Sequence, residues 1–144
     1  MRHAWMLLAL LACASGPAGE DPTETWAFAV AEPSCAPWDG AATLLTLTNT
    51  AGPPSAATPA LRLSAWQGPA AVGGHTFAVA ASGSDGGSAT YCVGGDCTAA
   101  PSGWIRFEAA PGPLTGRYSL TFPDGTHRAG SFSAPLVERQ VLCG

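Results

Sequence analysis

Arg117-Tyr118-Ser119-Leu120-Thr121-Phe122-Pro123-Asp124-Gly125-Thr126 decides the fold class. Tyr118, Leu120 and Phe122 alternate with Arg117, Ser119 and Thr121, the period-two pattern of a half-buried strand. The strand runs into Pro123-Asp124-Gly125, where proline presets φ and glycine takes the left-handed position. The spacing therefore predicts a hairpin joining Tyr118–Phe122 to Thr126–Phe132. The same pattern extends outward in both directions. Trp26, Phe28 and Val30 alternate with Ala27 and Ala29, and Thr43 to Thr48 is rich in Leu and Thr. Ala60 to Trp66 puts Leu61, Leu63 and Ala65 on one face and Arg62 and Ser64 on the other. His75 to Ala81 and Ser88 to Val93 follow, and Ile105 and Phe107 alternate with Trp104, Arg106 and Glu108. The last runs are Thr126 to Ser133 and Leu136 to Leu142. Between them lie GPPSAATP (52–59), GPAAVGG (68–74), SGSDGGS (82–88) and APGPLTG (110–116), which stop helices and make turns. The pattern predicts an all-β chain of about eight or nine short strands, an antiparallel β-sandwich or small barrel. The alternating faces argue for antiparallel pairing, because buried parallel strands would be apolar throughout.

Composition bounds what such a chain does. Of 144 residues, 47% are hydrophobic and 11% charged, enough for one core and well below the usual charged share of roughly 25%. Every cation is arginine. Six cations stand against ten acids, and without Arg2 the balance is five against ten. A mildly acidic chain with no basic cluster is excluded as a phosphate-tracking nucleic-acid binder. Glycine and proline, 18 and 13 residues, punctuate an otherwise apolar sequence and so mark turns between strands rather than disorder.

The N-terminus reads differently. Met1-Arg2-His3 is a short basic start, and Ala4 to Ala12 is an uncharged apolar run too short to span a bilayer as a helix but suited to a secretory signal. The run ends Leu10-Leu11-Ala12-Cys13, which resembles the lipobox of bacterial lipoproteins: Leu10 and Ala12 match, and Leu11 is bulkier than the commonest residue there. The resemblance implies a signal peptide over 1–12, thioether lipidation and N-terminal acylation of Cys13, and a membrane anchored through that residue, in the outer membrane of a bacterial envelope. Cleavage by an ordinary signal peptidase, at Ala12-Cys13-Ala14 or Pro17-Ala18-Gly19, is the alternative. Residues 13–24, which include ASGPAGEDPTE, read as a lipidated tether, and 25–144 as one disulfide-bonded β-domain.

Five cysteines is an odd number, which in an exported chain asks for an explanation. With Cys13 committed to lipid, Cys35, Cys92, Cys97 and Cys143 remain for two disulfides. In Tyr91-Cys92-Val93-Gly94-Gly95-Asp96-Cys97, a two-residue Gly94-Gly95 turn pairs Val93 with Asp96 and sets Cys92 opposite Cys97. Such a non-hydrogen-bonded pair brings Cα atoms to about 4.5 Å, within disulfide range. Cys35 and Cys143 are left for each other. Beyond the signal, Cys35-Ala-Pro-Trp-Asp-Gly40, Tyr91-Cys92, and Gly116-Arg-Tyr118 through Asp124-Gly125 to Gly130-Ser-Phe132 resemble small uncharacterised bacterial lipoprotein domains. That likeness implies fold and compartment and brings no activity with it.

The search for chemistry leaves little. His75 and His127 have no partner at metal-ligand spacing, and cysteines in disulfides cannot bind zinc, so neither a metal nor a cofactor is expected. Ser82-Gly83-Ser84-Asp85-Gly86 lacks the first glycine and the strand-to-helix setting of a nucleophile elbow, and it lacks the repeat of a calcium-binding glycine/aspartate loop. Asp39, Asp85, Asp96, Glu108, Asp124 and Glu138 are carboxylates mostly in turns, and no catalytic residue is assigned. The possible binding surface comprises Trp38 after Cys35, Trp66 on the Arg62/Ser64 face, and the tip Val93, Gly94, Gly95 and Asp96. Three readings follow: a noncatalytic, lipid-anchored binding or structural module with an envelope protein or glycan as partner, an anchored inhibitor of an envelope protease or lysozyme that inserts the disulfide tip, and a small hydrolase.

Overall fold

Leu45 and Leu47 stand opposite Ala31 and Ala29 on one neighbouring strand and opposite Leu63 and Leu61 on the other. Inward leucines thus meet small residues across one ladder and leucines across the other. The computed structural model describes residues 23–53 and 58–144. The signal segment 1–12, Cys13 and the tether up to residue 22 lie outside the described residues. Among the described residues there are nine strands and no helix: β1 (Phe28–Cys35), β2 (Ala41–Thr48), β3 (Ala60–Ala65), β4 (Thr76–Val79), β5 (Gly86–Val93), β6 (Asp96–Ala99), β7 (Ser102–Phe107), β8 (Leu114–Thr121) and β9 (His127–Ala134). They form one sheet in the order β1-β2-β3-β5-β4-β7-β8-β9, with β6 paired to β5 off that path.

The sheet curls until its first and last strands meet, so of the two architectures predicted it is the barrel. Six of the seven joints along the path are antiparallel and one, β4 with β5, is parallel. An even number of reversals leaves β1 and β9 pointing the same way, so the seam has to be parallel. It is: Glu24 bridges Gly130 and Ala31 bridges Leu136, both in parallel. The backbone N–H of Glu24 donates to the Ala129 carbonyl (2.7 Å), that of Ala31 to Pro135 (2.9 Å) and that of Val137 to Ala31 (2.8 Å).

The interior is filled by side chains. Leu45, Leu47, Leu61, Leu63, Phe77, Ile105, Phe107, Tyr118 and Leu120 are fully buried and belong to one cluster. Phe107 meets Phe77 and Phe132 edge to face, with centroids 5.8 and 5.4 Å apart. Small residues make room for them. At Gly130 an added Cβ would lie 2.6 Å from both the Glu24 carbonyl oxygen and the Tyr118 hydroxyl, so only glycine lets the seam close.

Both predicted hairpins form, the second with the predicted register. Thr121 pairs with His127 across Pro123-Asp124-Gly125, where Gly125 has φ 84°. Val93 pairs with Asp96 and Cys92 with Cys97, and Gly94 (φ 61°) supplies the left-handed residue of the turn. The disulfides are Cys92–Cys97, with Cα atoms 4.1 Å apart, and Cys35–Cys143, with Cα atoms 5.7 Å apart.

Four sequence expectations change. Leu136 to Leu142 is not a strand: only Leu136 bridges, and Glu138-Arg139-Gln140 are exposed, with Arg139 paired to Glu32 at 3.5 Å. The disulfide at Cys143 ties this segment down where a ladder does not. In β1 the alanines, not the larger residues, face inward. Phe28 is 48% exposed because the β2 leucines already fill that part of the interior. Pairing is not wholly antiparallel, because Ala78 and Val79 lie parallel to Gly86 and Gly87. Residues 80–85 suffice for this connection, well under the usual dozen, because the paired stretch is two residues long and the chain has little distance to return. Trp26 belongs to no strand and packs against the core cluster, its indole N–H bonded to the Tyr118 hydroxyl.

The two disulfides differ in weight. Closing a loop across a separation of 108 residues removes about 5 kcal/mol of chain entropy from the unfolded state, and across five residues about 2 kcal/mol. Urea unfolding should therefore show a Cys35→Ser/Cys143→Ser double variant losing more than twice the stability lost by Cys92→Ser/Cys97→Ser. Equal losses would contradict the long bridge as the main staple.

Candidate functional site

The β8–β9 register sets Leu120 opposite Arg128 and Tyr118 opposite Gly130, so Arg128 points inward at the end of the barrel. A charge there needs a partner, and Glu24 supplies it: Arg128 Nη1 is ion-paired to Glu24 Oε1, and both side chains are mostly shielded. Glu24 Oε2 also accepts a hydrogen bond from the buried Tyr118 hydroxyl at 2.9 Å, and the Trp26 indole N–H donates to that same hydroxyl at 2.8 Å. The Arg128 guanidinium lies 3.8 Å from the centroid of the Tyr91 ring, which packs edge to face on Phe122. These groups satisfy one another. Among the described residues, no buried side-chain nitrogen or oxygen lacks a partner. The network works as a plug for the seam end of the barrel, and Glu24 belongs to the barrel rather than to the tether.

Burial pushes the Tyr118 hydroxyl well above the ordinary tyrosine value of 10.0. The Trp26 N–H works against this, and the Glu24 charge adds to it. At the adjacent turn, the backbone N–H of Thr126 donates to Asp124 Oδ1 at 2.9 Å and holds that carboxyl below its usual value. Asp124 is thus a turn-forming residue.

With the interior occupied, the outer surface is where groups remain open to solvent. The outward residues of β7, β8 and β9 form a grid whose rows follow from the register. Arg106, Arg117 and Ser131 make one row, Trp104, Ser119 and Ala129 the next, and Ser102, Thr121 and His127 the third. On the β4 side Trp104 faces Ala78. The indole therefore has small residues on both flanks, and it is 39% exposed. Beside it, Thr23, Arg117, Ser119, His127, Ala129 and Ser131 line an open groove of about 360 Å³. Ser119 Oγ and His127 Nε2 are 3.4 Å apart.

The residues singled out from sequence fall into two separate places. Trp38 and Trp66 come together edge to face, 5.9 Å between centroids at 75°, at the end of the barrel where β1 turns into β2. Trp38 is 47% exposed, but Trp66 is half-buried rather than solvent-facing, because it packs against Trp38 and the backbone near Gly86. Val93, Gly94, Gly95 and Asp96 project from the opposite end, since β5 runs from Gly87 beside Ala65 to Cys92 beside Ala60. That tip is exposed, and the backbone N–H of Gly94 donates to Thr58 Oγ1 at 2.6 Å. The carboxylates Asp39, Asp85, Asp96 and Asp124 sit in different turns or at strand starts. No group of three or more His, Cys, Asp or Glu side chains gathers for a metal ion among the described residues.

Sequence reasoning passed over Glu24, Arg128 and the Trp104–Arg106–Arg117 face. The position of Arg128 was readable, because the Pro123-Asp124-Gly125 turn fixes Leu120 opposite Arg128 and hence inward. Compared with known protein families, with curated proteins and with solved structures, the chain matches none.

The Tyr118 shift has a definite sign for stability. Between the unfolded value near 10.0 and the higher folded one, the unfolded chain has released a proton that the folded chain keeps. Stability is therefore complete below pH 10 and falls above it, with a limiting slope of about 1.4 kcal/mol per pH unit. Tyr118→Phe should lose about 1–3 kcal/mol at pH 7 from the broken network and show a shallower alkaline fall. Urea titrations from pH 8 to 11.5 check this. An unchanged slope would contradict it.

Proposed function

We propose that the chain is an exported, lipid-anchored protein of the bacterial envelope that works without catalysis, as a binding module. The observation that carries this reading is the cysteine accounting. Cys35, Cys143, Cys92 and Cys97 are consumed by two disulfides, which leaves Cys13, at the end of a segment resembling a lipobox, as the fifth. Disulfides persist in the oxidising compartments that an exported chain reaches. The binding reading draws on the filled interior and on the aromatic and cationic groups carried by the outside of a rigid sheet. Barrels of this size either pack their interior or hold one ligand in it, and this one packs.

A second reading, an anchored inhibitor of an envelope protease or lysozyme, draws on one specific observation. The Val93–Asp96 tip is exposed, with Val93 at 55%, and is braced by the Cys92–Cys97 bridge and the Thr58 contact. A rigid exposed tip of this kind enters a cleft at low entropic cost.

Cell fractionation with a metabolic fatty-acid label tests the anchor. Wild-type protein should partition with membranes and carry label. Cys13→Ser should carry none and be released or stall as precursor, since several acyl chains hold almost permanently where none holds at all. A water-soluble wild-type protein beginning downstream of residue 13 would overturn the reading.

A further inference from the structure

We propose that the outer face of β7–β8–β9 binds a carboxylate-bearing saccharide, with Trp104 stacking on a sugar ring and Arg106 and Arg117 receiving its carboxylate. The two arginines are directly opposed across the β7–β8 ladder. Like charges in that arrangement cost stability. Among the described residues neither guanidinium is in an ion pair, and Glu108, just past the end of β7, pairs with neither. A chain with six cations against ten acids has placed two of them side by side without a counter-charge, an arrangement that an anion would complete.

Trp104 stands one rung away on the same strand and face. Its flanks carry Ala78 and Ser119, with Ala129 beyond, so the indole borders an unobstructed floor. The electron-rich face of an indole attracts the weakly positive C–H groups of a pyranose ring. Hydroxyls of Ser119, Ser131 and Thr23 line the adjoining groove and suit the hydroxyls of a sugar. At about 360 Å³ the groove lies at the small end of the roughly 300–1,000 Å³ typical of small-ligand sites. An acidic peptide is the other ligand with this charge, but β8 is paired on both sides and offers no free backbone edge for strand addition. The shelf therefore favours the sugar. This assignment rests on the chain acting by binding and is independent of the Cys13 anchor, so a failed fractionation experiment leaves it standing and the reverse also holds.

The full chain in detergent is titrated by calorimetry with tetragalacturonate, with the N-acetylglucosaminyl-N-acetylmuramic acid disaccharide and with 3-deoxyoctulosonic acid, against neutral galactotetraose and tetraglutamate. At least one acidic sugar should bind saturably, more weakly at high salt, while galactotetraose and tetraglutamate bind at least about tenfold more weakly. Trp104→Ala and Arg106→Gln/Arg117→Gln should each weaken that binding about tenfold or more. The arginine double variant should melt no lower than wild type, which separates lost recognition from lost folding. Absence of saturable binding by all three acidic sugars, equal binding of tetraglutamate, or wild-type affinity in the two variants would overturn the proposal.

Discussion

One parallel joint governs this barrel. Because β4 and β5 run the same way while every other joint on the path reverses, β1 and β9 arrive at the seam in parallel. No tight hairpin joins parallel strands, so the closure has to be held by other means. Here the two ends of the domain do it. The segment around Glu24 lies along β9, and the segment after Ala134 lies along β1. The Cys35–Cys143 bridge then fastens the second of these at one end of the barrel, and the Glu24–Arg128–Tyr118–Trp26 network fastens the first at the other.

The same closure decides where ligands can go. Small inward residues, Ala29 and Ala31 on β1, Gly116 on β8 and Gly130 and Ala134 on β9, leave room for the leucine and aromatic side chains that meet across the axis, and the space is used up. A charged pair inside such a barrel is tolerated only because each partner is also hydrogen-bonded or stacked. Contacts with other molecules are left to outward rungs. The most regular of these lie on β7, β8 and β9, three consecutive strands joined by antiparallel ladders. A rigid floor of this kind loses little entropy on binding.

Much of this was legible from residue order, for identifiable reasons. Turn chemistry fixed two hairpins, because Pro123-Asp124-Gly125 and Gly94-Gly95 leave few backbone choices, and cysteine spacing then followed from the second. Closure was not legible: it depends on the parallel β4–β5 joint, two residues long and lying in a glycine-rich stretch that reads as a loop. The alternation in β1 did not say which face turns inward: the volume left by Leu45 and Leu47 selects alanine. The Trp104–Arg106–Arg117 face was invisible for a third reason. Arg106 and Arg117 meet only through the β7–β8 register, and residues 108–113 between those strands do not specify it.

Interstrand nuclear Overhauser effects in isotope-labelled protein test the seam most directly, since they read strand direction independently of any staple. Contacts with the parallel pattern are expected between Glu24 and Gly130 and between Ala31 and Leu136. They should coexist with antiparallel contacts between Thr121 and His127 in the same sample. An antiparallel pattern at the seam, or none while the Thr121–His127 contacts persist, would show an open sheet and contradict the closed barrel from which the plug, the filled interior and the outward face of β7–β9 all follow.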